Sequence, residues 1–240
     1  TFFAEKEKID PADICSVSVM PCTAKKFECK RKEFHDSGFQ DVDISITVEE
    51  LASMIRTAGI HFDDLEDQEF DAPFGHGSGA GQIFGSTGGV MEAALRTVYE
   101  ILTGKTLEKL EFTQVRGPEG IREAALEING KEIRVAIVHG LKNVEGILEQ
   151  IKAGRSPYHF IEVMACEGGC IGGGNAPKTM AKVRKRQRAI YEEDRKLPIR
   201  KSHENIYVKK LYEEYLGEPL GEKSHHLLHT TYHSRRDLLR

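Results

Sequence analysis

The sequence predicts an α/β protein in which a mixed sheet is flanked by helices, followed by a small helical module at the C-terminal end. Short β-rich runs alternate with segments of helical periodicity up to about residue 177, and an Asn-Gly pair separates two of the β-rich runs. Alternation of this kind favours a sheet covered by helices. Beyond residue 177 the pattern becomes helical and basic.

The N-terminal part predicts two strands and a helix. Residues 14–19 alternate small and β-branched side chains, which indicates a buried strand that delivers Cys22 to the loop at its end. A second short strand is predicted over residues 41–46. The helix that follows, from a capping box at 47–50 through Ala58, is expected to end at Gly59, and residues 63–71 read as an acidic surface loop.

A glycine-rich loop precedes the next predicted helix. Residues 75–89 contain so many glycines that the backbone is expected to approach another group closely or to adopt positive φ. The loop lacks the lysine of a phosphate-binding loop and does not follow the first strand of a βαβ unit, so close packing around a cofactor suits it better than nucleotide binding. The apolar spacing of residues 90–102 predicts a helix ended by Gly104.

The middle of the chain reads as a sheet. Strands are predicted over residues 107–115, 124–128 and 133–138, with Asn129-Gly130 as a hairpin turn between the last two. Residues 144–153 predict a helix. A buried strand over residues 160–165 is expected to deliver a second cysteine cluster at its C-terminal end.

The C-terminal part reads as a separate helical module. A basic helix is predicted over residues 178–193, a break at Pro198 and a second helix over residues 205–216, followed by a His-rich tail. We place the boundary near residues 178–185, which gives modules of residues 1–180 and 181–240. The basic run at 182–188 is most simply the solvated face of a helix.

Composition limits the classes of function. The chain has 240 residues, of which 39% are apolar and 30% charged, so it can bury a full core. A net charge of -4 gives no electrostatic case for nucleic acid, and we expect no such partner. No apolar stretch is long enough for a bilayer and no basic-then-apolar leader is present, so neither membrane insertion nor secretion is predicted. An odd count of five cysteines fits reduced thiols in the cytoplasm.

The cysteines are the strongest indication of chemistry. Cys22, Cys166 and Cys170 each follow a predicted strand and lie beside small residues. This arrangement favours soft-metal ligation, in which their thiolates would bind the iron of an iron–sulfur centre. Cys15 and Cys29 are better explained as buried small hydrophobic residues. Zinc is disfavoured because a second cysteine pair is lacking, and no pattern indicates a nucleophilic dyad. The imidazoles of the tail are as consistent with packing and capping as with metal binding.

Two motifs resemble a known family. Met20-Pro21-Cys22-x-x-Lys25-x-x-Glu28 and Glu162-x-Met164-Ala165-Cys166-x-Gly168-Gly169-Cys170 resemble the second and third signature motifs of the iron-only (FeFe) hydrogenases. The loop at residues 84–94 resembles the segment between those motifs, and residues 216–232 resemble the small-subunit module. The resemblance covers essentially the whole chain and implies one lobe of the catalytic domain followed by that module.

The resemblance implies an activity, cofactors and partners. The activity is reversible reduction of protons to dihydrogen, with electrons exchanged through a ferredoxin or an NAD(P)-linked subunit. Cys22, Cys166 and Cys170 would hold a 4Fe-4S cluster, and Cys170 would bridge it to a di-iron subcluster with CO, CN and dithiolate ligands. Lys25 would donate a hydrogen bond to a cyanide ligand. The other implied site residues are an apolar wall of Met20, Met164 and Phe84, and Glu28, which would orient the local loop.

The sequence departs from the family pattern in several places. The first motif, T-S-C-C-P, which supplies the fourth cluster ligand and a proton-transferring cysteine, is absent. Because the chain also begins with Thr1, we expect that an upstream segment or a partner bearing this motif is required, and that the chain alone does not turn over. Glu167 stands where proline is frequent, and residues 175–177 replace the usual Gly-Gln-Pro.

A non-catalytic relative is the competing interpretation. Cytosolic iron–sulfur assembly proteins share cysteine motifs of this type and bind clusters without hydrogen chemistry. Gly169 before Cys170, together with Lys25 and Phe84, favours the hydrogenases, because the assembly proteins usually carry a Ser-Gly pair before that cysteine. A plain α/β domain with buried cysteines would require every one of these matches to be accidental.

Overall fold

The computed structural model describes residues 2–35, 37–116, 120–174 and 179–235. The chain divides into two compact units, residues 1–75 with 206–240 and residues 76–205. The strands are β1 (Val17–Met20), β2 (Ile44–Thr47), β3 (Ile121–Ile128), β4 (Lys131–His139) and β5 (Phe160–Met164). The helices are α1 (Phe2–Glu7), α2 (Lys25–Glu28), α3 (Val48–Thr57), α4 (Gly79–Gln82), α5 (Gly89–Thr103), α6 (Val144–Lys152), α7 (Met180–Lys196), α8 (Ile206–Leu211) and α9 (Glu222–Leu228).

In the first unit, β1 and β2 pair in parallel, with Val17 opposite Ile44. The predicted capping box is confirmed, because the Thr47 hydroxyl accepts the Glu50 N–H at 3.2 Å while the Glu50 carboxylate accepts the Thr47 N–H at 2.7 Å. These bonds satisfy backbone donors that the first turn of α3 would otherwise leave without partners. In the same unit α8 continues as a π-helix, Tyr212–Leu216, as the prediction of a helix over 205–216 requires.

In the second unit, β3, β4 and β5 form a sheet in that order. β3 and β4 are antiparallel and are joined at Asn129-Gly130, where both residues have positive φ, so the predicted hairpin is confirmed. β5 is parallel to β4 and follows it through α6. The mixed sheet flanked by helices is therefore confirmed. Its core is a cluster of Met91, Leu95, Val115, Val135 and Ile137.

The predicted strand over residues 107–115 is wrong, since its only regular structure is a single 3-10 turn, Thr113–Val115. Side chains of α5 bind the backbone here in place of a neighbouring strand. The Glu100 carboxylate accepts the Leu107 N–H at 2.6 Å, and Arg96 Nε donates to the Leu110 carbonyl at 3.0 Å. Val115 is fully buried, so the apolar pattern reflects core packing.

The two cysteines that are not proposed ligands differ in burial. Cys29 is buried as expected, but Cys15 is exposed, because it lies in the irregular segment before β1 and not within the strand predicted there. The departure at residues 175–177 and the predicted helix start at 178 lie outside the described residues. The described helix begins at Met180.

Candidate metal centre

The first predicted cysteine lies in the turn between β1 and α2. β1 ends at Met20, and Cys22 is half-buried in the turn that follows. Lys25 opens α2, and its ammonium forms an ion pair with the Glu28 carboxylate one turn later. The Lys25 side chain remains 42% exposed, so its amine is accessible for exchange of partners.

A cavity of about 360 Å³ opens beside Cys22 within the first unit. Its cationic lining includes Lys25, Arg31 and Arg235. Arg31 also fixes the C-terminal tail at the cavity, because its Nη2 donates to the Thr231 carbonyl at 2.5 Å and its guanidinium lies 4.7 Å from the Tyr232 ring centroid. Glu28 also lines the cavity and pairs with Lys25, and Glu33 pairs with both arginines. The lining is therefore of mixed charge, and Cys22 is the lining residue that could bind a soft metal.

The second cysteine cluster, the pair Cys166 and Cys170, lies in the loop that follows β5. Between Cys166 and Cys170, Gly168 and Gly169 have φ of +81° and +90°. A Cβ at Gly169 would lie 2.6 Å from the Thr87 nitrogen, and the Thr87 N–H donates to the Gly168 carbonyl at 3.1 Å. Glycine is required here both for the backbone conformation and for the close approach. The glycine-rich loop before α5 therefore packs directly against the cysteine loop, as its composition predicts.

Glu162 joins the same two loops from within β5. Its side-chain oxygens accept the N–H groups of Gly88 and Met91, each at 2.7 Å, so the carboxylate caps α5. Burial raises the pKa of Glu162, and the hydrogen bonds from Met91 and Gly88 act in the opposite direction. The sequence motif includes Glu162 but assigns it no role. A charged residue in the middle of the apolar run of β5 is the signal that could have revealed it.

His139, at the end of β4, also contacts the cysteine loop. It is 3% exposed, and its Nδ1 accepts the Gly168 N–H at 3.3 Å. In the parallel ladder His139 lies opposite Met164, two residues before Cys166. The sequence predictions do not include it, although a histidine that ends the apolar run of β4 is the available signal.

The predicted site residues fall in separate units. Met20, Cys22, Lys25 and Glu28 belong to the first unit. The second unit contains a further set, namely Phe84, Met164, Cys166 and Cys170. Met20 and Met164 are half-buried, whereas Phe84 is 46% exposed in a 3-10 turn before Ser86. The roles assigned to these side chains remain predictions.

The donor set fits an iron–sulfur cluster. None of the five cysteines, all of which lie in the described ranges, forms a disulfide. Thiolates are the preferred ligands of such clusters. Cys166 and Cys170 are held in a loop with two glycines whose backbone is fixed by Thr87 and His139. The residues present therefore suit the group that the sequence motifs imply.

The tail imidazoles favour packing over metal binding. The rings of His225 and His229 pack edge to face with centroids 4.4 Å apart. Within the described residues, the group of side chains close enough to hold an ion lies elsewhere, at Glu100, His203 and Glu204. Lys201 already donates to both of those carboxylates, at 2.7 and 2.8 Å. A lysine ammonium therefore supplies the positive charge there.

Comparisons with known proteins give the class to which this fold and these cysteine loops belong. The family described as "Iron only hydrogenase large subunit, C-terminal domain" matches residues 1–174, and "Iron hydrogenase small subunit" matches residues 180–235. The chain belongs to the iron-only hydrogenase family. Its described residues contain no helix that is both long and apolar enough to cross a membrane.

Individual relatives agree with this assignment. The chain is 49% identical to the NADP-reducing hydrogenase subunit HndD of Solidesulfovibrio fructosivorans over 99% of its own length and 41% of that protein. It is 44% identical to iron hydrogenase 1 of Clostridium pasteurianum, over 97% of this chain and 42% of that protein. A solved FeFe-hydrogenase structure from Chlamydomonas reinhardtii is also similar, with a TM-score of 0.79 and 40% sequence identity. The match covers 97% of this chain and 66% of the chain in that structure.

The chain thus spans about two fifths of the length of these curated relatives. Relatives named for cytosolic iron–sulfur assembly also match, at 29 to 33% identity. Their lower identity makes the assembly class the weaker alternative.

Proposed function

We propose that this chain forms part of a catalytic domain that reversibly reduces protons to dihydrogen. The observation that supports this most directly is the packing of the cysteine loop on the glycine-rich loop, in which Gly169 approaches the Thr87 backbone too closely for any side chain. Such packing fixes two sulfur ligands in a rigid backbone frame. The proposed reaction is taken from the relatives, which are named as hydrogenases.

The proposed ligands are the three predicted cysteines. Cys22, Cys166 and Cys170 would hold a 4Fe-4S cluster, and Cys170 would bridge it to a di-iron subcluster with CO, CN and dithiolate ligands. When bound, this cofactor supplies the electron transfer and the metal chemistry of proton reduction. The protein provides ligation, orientation and a dry environment.

Lys25 is proposed to bind a cyanide ligand of that subcluster. Its ammonium now pairs with Glu28, and an exposed pair of this kind contributes little free energy, so Lys25 can exchange Glu28 for an anionic ligand at small cost. Glu28 would hold the lysine near the site beforehand. Met20, Met164 and Phe84 would exclude water and so strengthen the charge-assisted hydrogen bond.

The proposed partners follow from the same assignment. A segment or subunit with the T-S-C-C-P motif would complete the ligand set, and a ferredoxin or an NAD(P)-linked subunit would exchange electrons. The name of the HndD relative, an NADP-reducing hydrogenase subunit, supports an NAD(P)-linked subunit as the electron partner. We also propose that the protein is cytoplasmic, which the lack of disulfides among its five described cysteines favours, and that residues 1–180 and 181–240 correspond to the two modules.

Infrared spectroscopy of the anaerobically matured protein tests the proposal. The chain would be matured alone and together with a segment bearing the first motif. We expect CO and CN stretching bands and hydrogen evolution only in the completed protein. Iron–sulfur absorption without those bands in the completed protein would assign the chain to the cluster-binding assembly class. Robust hydrogen evolution by the chain alone would refute the requirement for the additional segment.

A further inference from the structure

A buried histidine nitrogen at the cysteine loop lacks a hydrogen-bond acceptor. The side chain of His139 is almost fully enclosed, and its Nδ1 accepts the Gly168 N–H at 3.3 Å. The other ring nitrogen, Nε2, is buried and has no hydrogen-bond partner among the described residues. Buried polar atoms in native proteins are nearly always paired, so this one requires an explanation.

The Gly168 contact determines which nitrogen is protonated. Because the Gly168 N–H can only donate, Nδ1 must supply its lone pair. The hydrogen of a neutral imidazole then resides on Nε2. His139 therefore presents a buried N–H donor that the surrounding protein leaves unsatisfied.

Nearby groups that could accept this hydrogen are already engaged. The Glu162 carboxylate accepts the N–H groups of Gly88 and Met91 and does not lie within hydrogen-bond distance of the His139 Nε2. Asn143 binds the backbone carbonyl of His139 and not its ring. No described protein atom accepts this hydrogen, which makes the occupant of the cysteine loop a candidate acceptor.

The position of the ring indicates the kind of ligand. β4 and β5 are parallel, so His139 and the cysteine loop emerge at the same edge of the sheet. The ring contacts Gly168, which lies between Cys166 and Cys170. The expected acceptor at this position is sulfur.

We propose that His139 Nε2–H donates a hydrogen bond to a sulfur of an iron–sulfur cluster held by the 166–170 loop and thereby raises the reduction potential of that cluster. This inference rests on the proposed function, because it requires a cluster at Cys166 and Cys170. A donor near the sulfurs stabilises the reduced, more negative state. His139 is a positioning residue for the loop through Nδ1 and a tuning residue through Nε2.

Two substitutions separate these roles. His139→Asn places an amide oxygen near the position of Nδ1 and so retains an acceptor for Gly168, but it lacks the distal donor. His139→Gln places an amide N–H near the position of Nε2 and so retains the donor. The probe is the 4Fe-4S cluster itself, assembled in the full chain from iron and sulfide, and the midpoint potential is measured by redox titration followed by visible absorption.

We expect His139→Asn to lower the equilibrium constant for reduction about tenfold, which is about 59 mV for one electron. His139→Gln should remain within about twofold of the wild type. Thermal unfolding of each variant monitors the fold. The wild-type protein provides a measurement that needs no variant, because ¹⁵N NMR of the apo chain reports the His139 tautomer and the loaded chain should show a changed Nε2–H resonance.

Equal midpoint potentials in all three proteins would overturn the inference and leave the proposed function intact. An Nδ1–H tautomer in the apo chain would also overturn it, without reference to any cluster. If the wild-type chain bound no iron through its cysteines, the proposed function would fail and this inference with it.

Discussion

Arg96 and Asp194 form a bidentate ion pair in which Nη1 and Nη2 lie 2.8 and 2.9 Å from the two carboxylate oxygens. Both side chains are fully buried, and the pair joins α5 to α7 across 98 positions of sequence. Burial alone would raise the pKa of Asp194, but hydrogen bonds from Arg96 and Arg200 bring it below its ordinary value. The pair therefore fixes the long C-terminal helix of the second unit against the helix that follows the glycine-rich loop.

Asp194→Asn should destabilise the protein by about 3–5 kcal/mol, because it removes the buried carboxylate that Arg96 and Arg200 share and leaves Arg96 with Glu92 alone. Urea unfolding would measure the change. The control is Glu193→Gln, which removes the exposed pair with Lys196 and should change the stability far less. Equal effects of the two substitutions would contradict the structural role of the buried pair.

Gly169→Ala should destabilise the second unit by at least about 2 kcal/mol, since the new Cβ combines a left-handed backbone with a clash at the Thr87 nitrogen. It should also reduce cluster loading. Gly146→Ala is a matched control on α6, where a Cβ would meet no atom within 4 Å. Helix propensity predicts that this control stabilises by about 0.5–1 kcal/mol. Chemical denaturation of both variants decides the prediction, and a tolerated Gly169→Ala would contradict it.

The three proposed ligands should behave alike. Serine substitution at Cys22, Cys166 or Cys170 should lower bound iron and visible absorption several-fold, because a hydroxyl is a poor substitute for a thiolate ligand. Cys15→Ser provides the control, since this exposed cysteine is not a proposed ligand. Iron content after anaerobic reconstitution is the measurement. Undiminished iron in any of the three variants would remove that cysteine from the ligand set.

Glu162→Gln should weaken the cap of α5. One of its oxygens becomes an amide NH₂ group that faces a backbone N–H donor, which costs about 1–3 kcal/mol. Hydrogen exchange at Gly88 and Met91 should accelerate, whereas the exposed control Glu127→Gln should leave both amides unchanged. Unaltered protection of the two amides would show that the carboxylate does not hold the loop.

We expect Glu100 to make the free energy of unfolding depend on pH in the acid range. The Leu107 N–H and then Lys201 lower the pKa of Glu100 from 4.5 to about 2. A depressed native-state pKa stabilises the protein above the unfolded value, so this contribution is lost as the pH falls from about 4.5 to about 2. Glu100→Gln should therefore remove about 1–3 kcal/mol at pH 7 and flatten the acid limb of the unfolding profile. An acid limb as steep in the variant as in the wild type would contradict this assignment, and Glu149→Gln on the exposed face of α6 serves as control.

The elements that could be predicted are those whose signals are local. The capping box at Thr47 and Glu50 and the Asn129-Gly130 turn each specify their backbone within a few residues. The segment at 107–115 could not be predicted, because Arg96 and Glu100 satisfy its backbone from a neighbouring helix. An apolar run alone does not distinguish a strand from an irregular segment buried in the core.

In the candidate site, too, local features could be predicted and contacts between distant residues could not. The cysteines could be recognised from their type and spacing, and the glycines between them from the conformations they permit. The contacts of Glu162 and His139 depend on partners 29 or more positions away. Their residue types were visible in the strands, but what they bind could be known only once β4, β5 and α5 were placed in space.

The cap of α5 also determines when this region becomes ordered. Gly88 and Glu162 are separated by 74 positions, so their hydrogen bond closes a loop whose entropic cost is about 4 kcal/mol. During synthesis α5 emerges well before β5, and its first N–H groups stay hydrated until that strand has been added beside β4. The glycine-rich loop and the cysteine loop therefore reach their final shape only when α5 and β5 are both present. The backbone that holds Cys166 and Cys170 is in this sense built jointly by two distant parts of the chain.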